Sequence, residues 1–170
     1  MASGNVVGVF QQEQPPGTLA ALLATRTGGS TPAETWLGRR FHESTVWYMD
    51  YRYYLSGYDG GGLTTVYPWS VDGANSGNVI LSAAIRAIPD DAEDLDASHS
   101  YQYNDVTDAA PSVDGEVVYA EIAFTDGADM DSLADGELFV LRVRRRSDQG
   151  GDTINSNSIH LWGPPIVKET

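Results

Sequence analysis

GEVVYAEIAFTDGADMDSLADGELFVLRVRRR, residues 115–146, alternates apolar and polar side chains at both ends. That alternation, over Glu116–Phe124 and again over Glu137–Arg145, is the period of a half-buried strand. Between them only Met130–Leu133 carries a helical pattern, enough for one or two turns. Two long strands joined by a short surface helix form the wall of a β-sandwich rather than an enzyme pocket.

Working outward, the same period recurs. Val46–Leu55 puts Trp47, Met49, Tyr51, Tyr53 and Leu55 on one face, with Val46, Tyr48, Asp50, Arg52 and Tyr54 on the other. The glycine-rich turn at 57–62 leads into a strand over Leu63–Ser70, in which Pro68 predicts an edge or a bulge. A hairpin turn at Asp72–Gly77 precedes Asn78–Ile88, with Val79, Leu81, Ala83, Ile85 and Ala87 on one side. Tyr101–Val106, Asn157–Trp162 and the first residues, 1–11, read as shorter strands. The total is about eight or nine strands, the signature of an all-β, jelly-roll-like antiparallel sandwich with one short helix. Its expected core includes Trp47, Met49, Tyr51, Val79, Leu81, Val117, Leu138 and Val140.

Pro15-Pro16-Gly17 isolates the start of the chain. Leu19–Leu23 is an apolar patch that packs as a short helix or as an arm on a neighbour, and Thr27–Pro32 is turn chemistry. The expected organisation is an N-terminal arm, 1–24, and a β-sandwich domain, 25–170.

At 170 residues one domain is the default. The chain has no cysteine, hence neither disulfides nor a thiolate metal site. The N-terminal MASGNVVGVFQQEQ lacks the basic and long apolar stretches of a signal peptide, and no apolar run reaches the length of a membrane span. A net charge of −14 argues against a nucleic-acid partner. The run Arg142, Arg144, Arg145 and Arg146 is the basic exception, read as solvated strand-end charge facing nearby acids.

Catalytic and metal patterns are weak. His42, His99 and His160 have no zinc-ligand spacing. There is no G-x-S-x-G nucleophile turn, and no pair of carboxylates stands out as a glycosidase couple. Non-enzymatic action without a cofactor is expected. Two acidic loops, Asp90–Asp96 and Asp126–Asp135, supply oxygens that suit calcium, but Asp129 or Asp131 reads better as the cap of the short helix.

The aromatics concentrate between Trp47 and Trp69. One strand face accounts for the core. The opposite face leaves Tyr48 and Tyr54, with Tyr58 just beyond, for a subunit interface, with simple core packing and sugar stacking as alternatives. Together with Leu19, Leu22 and Leu23 they form the expected self-association surface.

Four strings carry a resemblance: RTGGSTPAE at 26–34, LSGYDGGGLT at 55–64, IPDDAEDLDASHSYQYN at 88–104 and TDGADMDSLADGELFVLRVRR at 125–145. The chain resembles, over roughly residues 25–170, small β-sandwich virion proteins of tailed bacteriophages. That resemblance implies a capsid decoration or head-fibre protein, present in the virion after assembly in the host cytoplasm. It would bind the major capsid protein or another virion protein and itself, as a homotrimer, by adhesion rather than chemistry. A carbohydrate- or receptor-binding domain of a tail fibre is the alternative. The resemblance transfers no catalytic residue.

Overall fold

The computed structural model describes residues 4–29, 33–73, 76–154 and 157–170. Its strands are β1 (Gly8–Gln14), β2 (Leu22–Gly28), β3 (Glu34–Phe41), β4 (Tyr48–Leu55), β5 (Leu63–Val71), β6 (Asn78–Ile88), β7 (Asn104–Ala109), β8 (Val118–Phe124), β9 (Leu138–Arg145), β10 (Ile159–Leu161) and β11 (Ile166–Glu169). One sheet has the order β1-β4-β9-β6-β7; the other runs β11-β5-β10-β3-β2, with β8 on the far side of β5. Every strand pair is antiparallel.

The pairings nest. β3 pairs with β10, β4 with β9, β5 with β8 and β6 with β7. Nested pairs that alternate between two sheets are the winding of a jelly roll. β10 and β11 together make its last strand, broken at Gly163-Pro164-Pro165 and flanking different halves of β5. That break explains Pro68. β11 covers Leu63–Val66 and β10 covers Trp69–Val71, so Pro68 sits opposite the interruption, in a central strand rather than an edge or bulge. A residue with no N–H is tolerated where one neighbour is missing.

The strand count exceeds the sequence estimate because β2 and β3 lack clean alternation. Leu19–Leu23 is neither helix nor free arm: Leu22 opens β2. The expected arm, 1–24, is likewise corrected. β1 lies along β4 from Gly8 to Gln14, the Val7 N–H donates to Val167 O at 3.0 Å, and Val7 and Ala21 are buried. A backbone with that many donors is held by pairing with a sheet edge, and the 24/25 boundary falls inside β2. The N-terminal stretch therefore adds an edge strand to each sheet. The turns at 27–32 and 72–77 lie partly outside the described residues, at 30–32 and 74–75.

The core fills the space between the sheets with Trp69, Tyr51, Tyr53, Tyr67, Phe41, Phe139, Met49, Leu63 and Leu81, all fully buried. Met49, Tyr51, Val79 and Leu81 lie where alternation puts them, and Trp47 packs partly buried against them. Two strands are inverted. In β8 the inward residues are Ala120, Ile122 and Phe124, leaving Val117 exposed before the strand. In β9 they are Phe139, Leu141 and Val143; Leu138 points out, and Val140 is buried from the outside of the sheet. Both strands are apolar on both faces, so a one-residue slip keeps a plausible pattern.

The expected helix over Met130–Leu133 is a single 3₁₀ turn at Ala128–Met130, followed by Asp131 and Ser132 in the left-handed region. Neither acid's side chain caps its start, and Asp131 is instead the C-cap residue, its N–H donating to Ala128 O. Asp129 accepts from the Thr125 N–H at 2.7 Å and the Asn104 amide at 2.9 Å, and Asp131 accepts from the Ala87 N–H at 3.1 Å. Those bonds pin the turn over Met130 and Leu133, both buried.

Candidate interaction surface

The β2–β3 ribbon outruns the sandwich. β10 supports β3 only at Arg39–Phe41, so Glu34–Gly38 has no strand beyond β2. Cross-strand partners share a face. Leu23, Arg39, Thr25 and Leu37 lie on one side of the ribbon; Leu22, Arg40, Arg26 and Trp36 lie on the other. Both sides are open: Leu22 is 51% exposed, Leu23 65%, Trp36 54% and Leu37 62%.

The ribbon is nonetheless well anchored. The Arg39 guanidinium donates to Glu13 of β1, with Nε at 2.9 Å, which ties the two sheets. Gly38 sits where a Cβ would meet Leu161 O at 2.4 Å and the Trp162 ring at 2.7 Å. Trp36 meets the Trp162 ring edge-on, and the Trp162 indole N–H donates to the Ser70 hydroxyl at 2.9 Å. Thus the apolar groups are held in place, which lowers the entropy lost on docking.

Of the expected interface residues, Leu22 and Leu23 lie in this ribbon. Leu19 is exposed beside it in the left-handed region, where its carbonyl accepts the Tyr48 N–H at 2.7 Å. That bond brings Tyr48 to the same corner, half-buried beneath the Arg142 guanidinium. Tyr54 is exposed at the far end of β4. Tyr58 is an internal brace: its hydroxyl donates to Asp126 and accepts from the Gly62 N–H, both at 3.0 Å. Burial pushes that phenol's pKa up. The structure therefore joins Leu19, Leu22, Leu23 and Tyr48, and separates Tyr54 and Tyr58. Sequence reading missed Trp36 and Leu37. Adjacent apolar residues in one strand must face opposite ways, and that was the available signal.

The outer face of the β1-β4-β9-β6-β7 sheet is partly roofed by the acidic loop after β6. Tyr101 lies 4.1 Å from the Arg142 guanidinium and Tyr103 lies 3.5 Å from that of Arg144. Glu93 accepts from Arg86 Nε at 3.0 Å, and His99 sits 3.1 Å from the same carboxylate. Asp50 receives Arg142 through two bonds of 2.7 Å, which holds that guanidinium's pKa above its ordinary value.

Arg142, Arg145 and Arg146 of the arginine run face acids as expected, whereas Arg144 donates to Ser82 and lies over Tyr103, and the run is not all solvated. Alternation turns Arg145 inward, where its side chain is 0% exposed against Asp152 at 1%. Arg146 pairs with Asp148, whose carboxyl is held down to about 2 by that guanidinium. The acidic loops spend their oxygens on backbone N–H groups and arginines, and no cluster of three metal-ligating side chains occurs among the described residues.

No protein-family model matches this chain, and no curated protein matches it. Among solved structures it is similar to the enzymatically active domain of bacteriophage CBA120 tailspike protein 4, at 10% identity and a TM-score of 0.37. That alignment covers 98% of this chain and 20% of the tailspike chain, so the chain spans about a fifth of that protein's length; at this TM-score the likeness carries no inference.

Proposed function

We propose that the chain is a structural protein of a bacteriophage virion, a capsid decoration or head-fibre subunit that acts by self-association and shell binding. One observation carries the adhesive part: a rigid ribbon holding Leu22, Leu23, Trp36 and Leu37 in solvent on both of its faces. Leu23 and Leu37 are diagonal neighbours on one of those faces, and adjoining exposed apolar groups mark protein–protein contacts. The jelly roll, a fold common in viral shells and lectins, and the resemblance of residues 25–170 support the virion part. Closed cyclic assembly makes a homotrimer the preferred state.

A second reading, a carbohydrate- or receptor-binding domain of a tail fibre, is favoured by the partly roofed cleft on the outer sheet face. Light scattering separates the two. An oligomer that Leu23→Asp with Trp36→Asp converts to monomer, with the circular-dichroism spectrum unchanged, supports the adhesive reading. A wild-type monomer at high concentration that does not attach to capsids would sink it and leave the glycan reading.

A further inference from the structure

We infer that the cleft beneath the acidic loop binds the carboxylate of an acidic sugar, with Arg52 as its anchor. The cavity holds about 160 Å³ and is lined by residues that include Arg52, Arg86, Arg142, Gln14, Tyr101 and Leu95. Two of its three guanidiniums are neutralised, Arg142 by Asp50 and Arg86 by Glu93. Arg52 lies on β4, across Val140 from Arg86 and next to the Asp50–Arg142 row; it is half-buried, and its side chain makes no hydrogen bond or ion pair among the described residues. Every other arginine of the chain has such a partner.

An unpaired guanidinium is anomalous in a protein of net charge −14. Acids are abundant enough to have paired it. The cavity is left with one uncompensated positive charge, in a recess where water screens it poorly. A guanidinium fork matches a planar carboxylate through two parallel bonds. A phosphate monoester would bring close to two negative charges against that single positive one, inside a strongly acidic molecule. The charge therefore selects a monoanion.

The remaining walls select a sugar over an acidic side chain. Gln14 offers an amide that both donates and accepts, suited to a hydroxyl. Tyr101 and Leu95 give an apolar edge for the C–H face of a ring. A cavity this size is below the range of about 300–1,000 Å³ for whole drug-sized ligands, so it takes the charged end residue of a glycan. The inference does not depend on oligomeric state.

Glucuronate is the probe, titrated into the full chain by calorimetry and by ligand-observed NMR, with glucose and a blocked glutamate as comparisons. Saturable glucuronate binding that weakens with added salt is expected, with no binding of glucose. Arg52→Gln should weaken glucuronate by at least about tenfold, the loss of a charge-assisted pair, while Arg146→Gln leaves it unchanged. Because Arg52 has no partner to lose among the described residues, Arg52→Gln should keep the wild-type urea midpoint, and Arg52→Lys should bind with intermediate strength. Equal response to glucuronate and glucose, or undiminished binding by Arg52→Gln, overturns the site. Blocked glutamate binding as tightly as glucuronate overturns the sugar assignment.

Discussion

Replacing Asp152 by asparagine tests the least forgiving contact in the fold. Arg145 enters the core from β9, and each of its three guanidinium nitrogens finds an acceptor there. Nε donates to Asp152 Oδ2 at 2.8 Å and Nη2 to Oδ1 at 2.6 Å; Nη2 also reaches Ile154 O at 2.8 Å, and Nη1 reaches Asn157 O at 2.6 Å. The pair and its carbonyls fasten the segment after β9 to the sheet. Asp152 also accepts the Ile80 N–H at 3.3 Å. Asparagine keeps the shape but removes the charge, and it turns an amide donor toward the guanidinium. Breaking one side of a buried pair costs about 3–5 kcal/mol, because the remaining ion cannot recover its water.

Against a total stability of about 5–15 kcal/mol, that is at least about a fifth. For a chain of this length each kcal/mol moves the midpoint by about 2–4 °C, so Tm should fall by about 6–20 °C. Urea unfolding followed by tryptophan fluorescence, with an m-value of about 2 kcal/mol/M, should lose about 1.5–2.5 M of its midpoint. Two controls bound the argument. Asp148→Asn breaks the half-exposed pair with Arg146 and should cost less than about 1 kcal/mol. Arg145→Met with Asp152→Leu removes both charges and should recover much of the loss. If Asp152→Asn unfolds within about 1 kcal/mol of wild type, in the range of an exposed pair, the buried pair as described is wrong.

His160 is buried beside Trp162, flanked by Asp72, Arg26 and Arg40, and burial holds its pKa below the ordinary 6.5. The unfolded chain then takes up the proton first as pH drops below about 6.5, so stability should fall with acidification, by at most about 1.4 kcal/mol per pH unit. His160→Gln should flatten that slope in urea titrations between neutrality and the onset of carboxylate protonation. Gly38→Ala drives a Cβ into Leu161 O and the Trp162 ring and should lower the thermal midpoint at a cost of about 1–3 kcal/mol. Deleting residues 4–14 strips β1 from β4 and removes buried Val7, so the urea midpoint should fall; an unchanged midpoint would return this stretch to the status of a free arm.

Legibility followed contrast between the two faces of each strand. β4 and β6 read correctly because each has one face of large apolar groups and another interrupted by Asp50, Arg52, Ser82 or Arg86. β8 and β9 inverted because Val118–Phe124 and Leu138–Val143 offer apolar residues to both sides, and only packing against the opposite sheet decides between registers. The 3₁₀ turn was located but misjudged in role. Spacing makes an acid near a helix start look like a cap, whereas the N–H groups that claim Asp129 and Asp131 come from Thr125 and from the distant Ala87.

The interaction surface was half legible for a related reason. Leu22 and Leu23 stand out by apolarity alone; Trp36 and Leu37, missed in the sequence, carry the signal that two neighbouring apolar residues in a strand cannot share one core. Leu23 and Leu37 lie one row apart on one side of the ribbon, and Leu22 and Trp36 lie two rows apart on the other, so apolar groups are exposed on both sides. Arg52 could not have been found this way. Asp50, two residues away on the same face of β4, looks like its partner in sequence, and the isolation of Arg52 among the described residues emerges only once β9 delivers Arg142 to Asp50. Pairing consumes the acids in an order set by sheet register. The cation left over is a property of the assembled fold, and for that reason it is the group whose removal should change binding without changing stability.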